Sequence, residues 1–371
     1  MKPEELLYTI ALSSVKGIGD VLAKNLIAYC GSAEAVFKTG KTKLEKIPGI
    51  GSEKAKQVSL SDVMKIAETE LKFISDYHIT PLVYTDDKYP QRLKDCSDSP
   101  VLLYYKGSAD LNAAKVVAIV GTRRATDYGK EQTKKLIAEL AAHNVLVVSG
   151  LAYGIDICAH KAALENGLET VGVLGHGLNT IYPATHKATA KEMVEQGGLL
   201  TEYRSTQEMH PSHFANRNRI VAGMSDAVIL MESAIDGGAV ITANVADSYH
   251  KDVFAYPGKA NDKWSAGCNN LIKLKRATMI ENAADLLREM NWDLPEGKSK
   301  KVKSAQQRTL AIHLSESEQL VYNLLNEQGE KHIDELSDRT GLSTGVLAAT
   351  LLEMEMNNLI LSLPGKMYKL A

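Results

Sequence analysis

Residues 120 to 129 read VGTRRATDYG, a glycine-led loop between an apolar run and a long helical stretch. The backbone N–H groups of Gly121 and Thr122, the Thr122 hydroxyl and the guanidinium fork of Arg123, with Arg124 beside it, are phosphate ligands by type. Arginine meets a phosphate through two parallel hydrogen bonds, which makes the loop an anion cradle rather than an acid/base centre. A second cationic stretch, FANRNRIVAG (214–223), alternates Asn216, Arg217, Asn218 and Arg219. One of these arginines is expected to face the same ligand; the other, Arg219, is expected to pair with Asp226 or Glu232 as a structural ion pair. Tyr128, Tyr153, Tyr182 and Phe214 lie near these loops and could stack on nucleobases or simply pack.

Other chemistries fit poorly. The loop departs from G-x-G-x-x-G, since Thr122, Arg123 and Arg124 follow Gly121 and the next glycine is Gly129. VLVVSG ends in Ser149 and Gly150, where a dinucleotide fold wants an acid for the ribose. No G-x-x-x-x-G-K-[ST] occurs, which disfavours a P-loop ATPase. Cys158 and His160 stand two apart on an expected helix and face different ways, so they are no nucleophile pair. Asp156 and Glu232 could act as acid and base, yet their contexts equally suit a helix cap and a strand-end carboxylate. HPSH (210–213) lacks a third ligand, and its proline argues against a helix there. Cys30, Cys96, Cys158 and Cys268 form no C-x-x-C pair and read as buried free thiols. Neither a metal, a cofactor nor an enzyme is called for.

The loops must be held by something, and the segment 80–293 supplies it. VVAIVG, VLVVSG, TVGVLG, GGLLTE, DAVILME and DVFAYPG are short apolar runs without strict alternation, separated by helical stretches long enough for crossovers. That pattern predicts an α/β fold with a Rossmann-like, doubly wound, mostly parallel sheet. The glycine-rich or polar strand ends GTRR, SGLAYGID, GHGLN, ESAIDGG and PGK should then line one crevice, which brings Gly150 and the Gly237–Gly238 pair to it.

Two smaller segments flank this core. Within 1–79, VKGIGDVLAK (15–24) and IPGIGSEKAK (47–56) align without gaps, with Asp20 and Ser52 as matching N-cap candidates. They resemble a tandem helix-hairpin-helix, whose glycine turns either seat a phosphate or only pack helices; ten lysines against nine acids over 1–70 leave a net charge of +1. Residues 294–314, with Lys298, Lys300, Lys301, Lys303 and Arg308, read as a basic tether. Residues 315–371 read as three helices and a hairpin, a winged helix with Gly341 at the turn and Pro364-Gly365 in the wing. Four basic residues against nine acids give it −5, and the stretch 343–358 has Glu353 and Glu355 but no cation, so a protein-contact or structural role is expected over DNA reading. A whole-chain charge of −2 confines any nucleic-acid contact to a local patch. With no signal-peptide pattern and no run of ~18 apolar residues, the expected compartment is the cytoplasm, with no membrane span.

VAIVGTRRATDYG, VVSGLAYGIDICAH, VLGHGLNTIYP, GGLLTEY, FANRNRIVAG, GGAVITA and VFAYPG occur in the order found in the DNA-processing protein A (DprA) family, which residues 80 to 290 closely resemble. The flanking helical and winged-helix segments also occur in that family. The resemblance implies a non-enzymatic protein that binds single-stranded DNA entering the cell in natural transformation, protects it and loads the RecA recombinase, usually as a dimer. It also implies that Gly121, Thr122 and Arg123, the Arg217-Asn218-Arg219 triplet and Lys187 after Tyr-Pro contact the DNA backbone. Tyr153 replaces an arginine common in the family, His176 a threonine or cysteine, and Asp236 a serine. The related phosphoribohydrolases carry P-G-G-x-G-T-x-x-E; here DGGAVITAN puts Asn244 at the glutamate, so the hydrolytic carboxylate is missing.

Overall fold

The computed structural model describes residues 3–58, 62–292, 315–357, 359–363 and 366–370, so the basic tether and the Pro364-Gly365 wing tip lie outside the described residues. The chain forms two compact units, Met1–Leu294 and Pro295–Ala371.

The first unit is built on nine strands: β1 (Thr80–Val83), β2 (Leu102–Gly107), β3 (Val116–Val120), β4 (Leu146–Ser149), β5 (Thr170–Val173), β6 (Gly197–Thr201), β7 (Ala227–Leu230), β8 (Asp252–Ala255) and β9 (Thr278–Met279). They lie in the order β1-β2-β6-β5-β4-β3-β7-β8-β9. From β6 to β9 every pairing is parallel, while β1 and β2 pair antiparallel with each other and β2 with β6. Every residue of β3, β4, β5 and β7 is buried, which explains why these strands read as unbroken apolar runs: helices cover both faces. The chain leaves β3 toward β4, β5 and β6, then returns to β3's other edge as β7. The carboxyl ends of β3 and β7 therefore bound a topological switch point, where a crevice opens.

The N-terminal helices share a core with this sheet. Ile18 and Ile50, the central residues of the two G-I-G turns, and Ala23 and Ala55 are buried in a cluster that also includes Val83, Val101, Leu102 and Tyr104. Gly17 and Gly49 both adopt φ +83°, so the repeat is conformational as well as textual. Asp20 is not an N-cap: its carboxylate accepts from Val101 N–H at 3.0 Å and pairs with Arg219, because a tertiary donor lies closer than the helix end. Lys24 donates to the Ser97 carbonyl and the Ser99 hydroxyl, and buried Glu70 accepts from both N–H and hydroxyl of Ser205. The first hairpin is thus turned onto the sheet domain.

The second unit has helices Glu316–Gln328, Ile333–Thr340 and Thr344–Met356, with β10 (Lys331–His332), β11 (Ile360–Leu363) and β12 (Met367–Leu370) in the order β10-β12-β11. Gly341 takes φ +67° at the turn, and Ser315 with Glu318 closes a capping box at the start of the first helix. Among the described residues, all four cysteines are free, three of them buried, and no helix is long and apolar enough to cross a membrane.

Candidate nucleic-acid interface

At the ends of β3, β4, β5 and β7 the crevice holds two cavities that share Arg123, Gly150, Ala152, Phe214 and Arg217 as lining. The larger, about 480 Å³, is walled by Tyr153, Tyr182, Met209, His210 and Phe214. The smaller, about 220 Å³, is lined by Gly121, Thr122, Asp156, Asn218, Gly237, Gly238 and Trp264 among others.

The loop after β3 is fixed from behind by one carboxylate. Buried Glu232, at the end of β7, accepts from Thr126 N–H at 2.9 Å and from the Thr126 hydroxyl at 2.5 Å. Thr126 in turn caps helix Asp127–Leu140 through Gly129 N–H. A carboxylate at a helix N-terminus is favoured by the exposed N–H groups there, so Glu232 is a structural anchor. The Thr122 N–H is spent on the Glu232 carbonyl at 2.7 Å, and the Thr122 hydroxyl accepts from Arg124 N–H. This corrects the expectation that the Thr122 amide serves a ligand: the parallel sheet edge claims it. Arg123 is left exposed on the cavity wall; Arg124, equally exposed, lines neither cavity.

The two arginines of the second stretch part company. Helices Pro211–Asn216 and Asn218–Gly223 abut at Arg217. Pro211 begins the first of them, a position where its missing N–H costs nothing, and the His210 ring accepts from Ser212 N–H, so HPSH is helical after all. Residues two apart on a helix diverge by about 200°. Arg217 turns inward: it is only 3% exposed, and its Nη1 donates to the carbonyls of Gly150 and Val173 while Nε donates to Asn218. Arg219 turns toward the N-terminal helices and pairs with Glu202 at 2.5 Å and Asp20 at 3.1 Å, with a further bond to the Asp98 carbonyl at 2.8 Å. Its partners are therefore neither Asp226, which pairs with Arg92, nor Glu232, and it lines neither cavity.

Arg217 carries the electrostatics of the site. No salt bridge reaches it among the described residues; carbonyl oxygens hold it in place. Burial pulls its pKa down to about 10, against the pull of Asp156 and with a push from Arg123, so it stays cationic at neutral pH. Burial likewise pushes the Asp156 carboxyl up, with Arg217 opposing. A Cβ on Gly150 would overlap Arg217 Nη2 and Asp156 Oδ2, so only glycine lets this guanidinium reach the cavity. A Cβ on Gly121 would run into Ile155. Gly154, at φ +80°, lets the next loop come back against Thr122 and Arg123.

Of the aromatic candidates, three converge. Tyr182 and Phe214 have ring centroids 5.5 Å apart, and Tyr153 stands edge-on to His186 at 5.1 Å, all beside the larger cavity. Tyr128 instead donates to the Pro257 carbonyl at 2.9 Å beside a separate depression. Lys187 and Asn216 are exposed and line neither cavity; Gly237 and Gly238 do line the smaller one, where they precede helix Gly238–Ser248. Trp264 and Met209 were not anticipated. Trp264 follows the PGK strand end (257–259) already assigned to the crevice, so extending that loop as far as residue 264 would have found it. Among the described residues there is no cluster of three or more metal-ligating side chains.

A family model described as DNA recombination-mediator protein A matches residues 80–291, one described as DprA winged helix domain matches 305–366, and a SAM-like helix-hairpin-helix tandem matches 9–61. The Smf protein of Synechocystis is 34% identical over 281 residues, covering 73% of this chain and 69% of that protein. The X-ray structure of DNA processing protein A from Streptococcus pneumoniae superposes with a TM-score of 0.62 at 31% identity, covering 78% of this chain and 99% of that one. A structure concerned with the single-stranded DNA binding mode of DNA processing protein A from Helicobacter pylori superposes with a TM-score of 0.53 at 31% identity, covering 58% and 96%.

Proposed function

Since the chain belongs to the DNA recombination-mediator protein A family, we propose that it binds single-stranded DNA in this crevice, protects the incoming strand during natural transformation and loads the RecA recombinase onto it, as a homodimer and without catalysis of its own. The observation that carries the reading is the pair of guanidiniums, Arg217 buried on neutral carbonyls and Arg123 exposed beside it, at the junction of two cavities. Asp156 offsets part of the cost of burying this cation without forming a salt bridge to it, and the open side of the guanidinium is a groove where a further anion can complete it. Phosphate is the anion a guanidinium fork suits best. The tyrosines and Phe214 beside the larger cavity offer π-faces that every base can use, which supports binding without sequence preference. Lys187, Arg124, Asn216 and the Gly237–Gly238 turn are assigned to the outer path of the strand; Arg219 is assigned to stability instead.

The hydrolase alternative finds no support in the side chains: Glu232 is committed to Thr126, and the helix after Gly237–Gly238 carries Asn244 where a carboxylate would be needed. Fluorescence anisotropy of a labelled single-stranded oligonucleotide, at two salt concentrations and with duplex competitor, tests the proposal. The affinity should fall steeply with salt, and Arg123→Ala should weaken it and reduce the slope of log K against log salt by about 0.7, the value for one phosphate on a single strand. Salt-independent binding, or an unchanged Arg123→Ala, refutes it.

A further inference from the structure

Tyr153 and Tyr182 line the larger cavity alone, and Phe214 stands between the two. Toward β7 and β8 the smaller cavity has one large aromatic side chain of its own, Trp264. It sits on the connection from β8 to helix Ala266–Lys273, and that connection is pinned. The Asn269 side chain both accepts from Gly258 N–H at 3.1 Å and donates to the Gly258 carbonyl at 3.0 Å. The Ser265 hydroxyl donates to Asp262 at 2.6 Å, which occupies the only acid of the stretch 257–265. Lys259 and Lys263 remain exposed, and Lys263 Nζ lies 5.3 Å from the Trp264 ring centroid.

This indole is half-buried, yet it is absent from the hydrophobic clusters of the described residues, unlike Trp292, which packs against one of them. A large ring on a pinned loop, facing a polar cavity and flanked by lysines, is spent on something other than core packing. Its cavity shares Arg123 and Arg217 with the aromatic cavity, so a chain of alternating phosphates and bases can run through both.

We propose that Trp264 is a base-stacking station. The strand held by phosphate at Arg123 and Arg217 lays one nucleobase on the Trp264 indole, and Lys263 takes the phosphate beside that base. The site accepts any nucleobase, because stacking reads the π-face and not the hydrogen-bonding edge. The inference rests on the single-stranded DNA reading of the crevice.

The chain has two tryptophans, so Trp292→Phe in the full-length protein leaves Trp264 as the only indole emitter. Titration of that variant with an unlabelled oligonucleotide should quench its emission, saturating in step with the anisotropy of a labelled copy. Trp264→Ala should bind about tenfold more weakly, with an unchanged salt slope because stacking carries no charge, and Trp264→Phe should recover most of the loss. An oligonucleotide that binds by anisotropy while the emission stays constant overturns the station and leaves the phosphate reading standing; so does a Trp264→Ala that binds as tightly as the parent. No binding by the parent protein overturns the phosphate reading and the station together.

Discussion

Arg217 and Arg219 are separated by a single asparagine, and they should fail in different ways. Replacing Arg219 by methionine keeps the volume and removes the charge. The guanidinium serves Glu202 at 2.5 Å, Asp20 at 3.1 Å and the Asp98 carbonyl at 2.8 Å, with side-chain exposures of 17% for Arg219, 13% for Glu202 and 27% for Asp20. Removing one partner of a fully buried pair costs about 3–5 kcal/mol, whereas an exposed pair is worth under about 1 kcal/mol. With these exposures the loss should be about 2–3 kcal/mol, because Glu202 is stranded with little water to replace its partner. For a unit of this size that lowers the melting temperature by roughly 3–5 °C. Arg219→Lys should recover only part of it, since one ammonium cannot face three acceptors as a planar fork does. Thermal unfolding followed by circular dichroism reads the loss; anisotropy well below the transition should give an oligonucleotide affinity within about twofold of the parent, as expected for a residue that makes no phosphate contact. An unchanged melting temperature would refute the structural role, and a folded Arg219→Met that loses affinity as Arg123→Ala does would return this residue to the DNA path.

Two further outcomes follow from burial and charge. His160 is fully buried, with Nδ1 2.7 Å from the Thr170 hydroxyl, and burial pulls its pKa from 6.5 down to about 3. The unfolded chain takes up this proton below pH 6.5 and the folded chain only near 3, so stability present above 6.5 is lost as the pH falls through that window. Between pH 7 and 5 the loss is about 2 kcal/mol, measured by urea unfolding; His160→Gln should flatten the curve there, and an identical slope in the variant would contradict the assignment. Deleting residues 315–371 should leave single-strand affinity unchanged, since helix Thr344–Met356 presents Glu353 and Glu355 and no basic residue; a large loss of affinity in anisotropy would show that this unit holds DNA.

The inner strands were legible because burial on both faces writes itself as an apolar run, and β3 to β7 all begin and end within a residue or two of those runs, while β8 begins with its run and stops short of the Pro257-Gly258 end. The edges were not. β9 is two residues long, and β1 and β2 are the antiparallel exception on an otherwise parallel sheet, joined through only the short helix Gln91–Lys94, too short to show a helical period. Among site residues, those whose role is set by the end of their own strand were readable: Gly121, Arg123, Gly150 and Gly237–Gly238 all line the crevice. Residues whose role is set by distant partners were not. Asp20 looks like a helix cap until Val101 and Arg219 are brought to it from across the fold, and Tyr128 and Tyr182 look alike until one bonds the Pro257 carbonyl and the other meets Phe214. For the arginine pair the division of labour was legible, one arginine toward the crevice and Arg219 in an ion pair, and only the acids were hidden: Glu202 and Asp20 in place of Asp226 or Glu232. An extended chain would set both guanidiniums on one face and make a two-pronged anion clamp of them; the helical junction at Arg217 turns one into the sheet and sends the other to the N-terminal helices. The crevice therefore draws its second cation from the loop after β3, and a chain with a net charge of −2 can still present two adjacent guanidiniums to a phosphate.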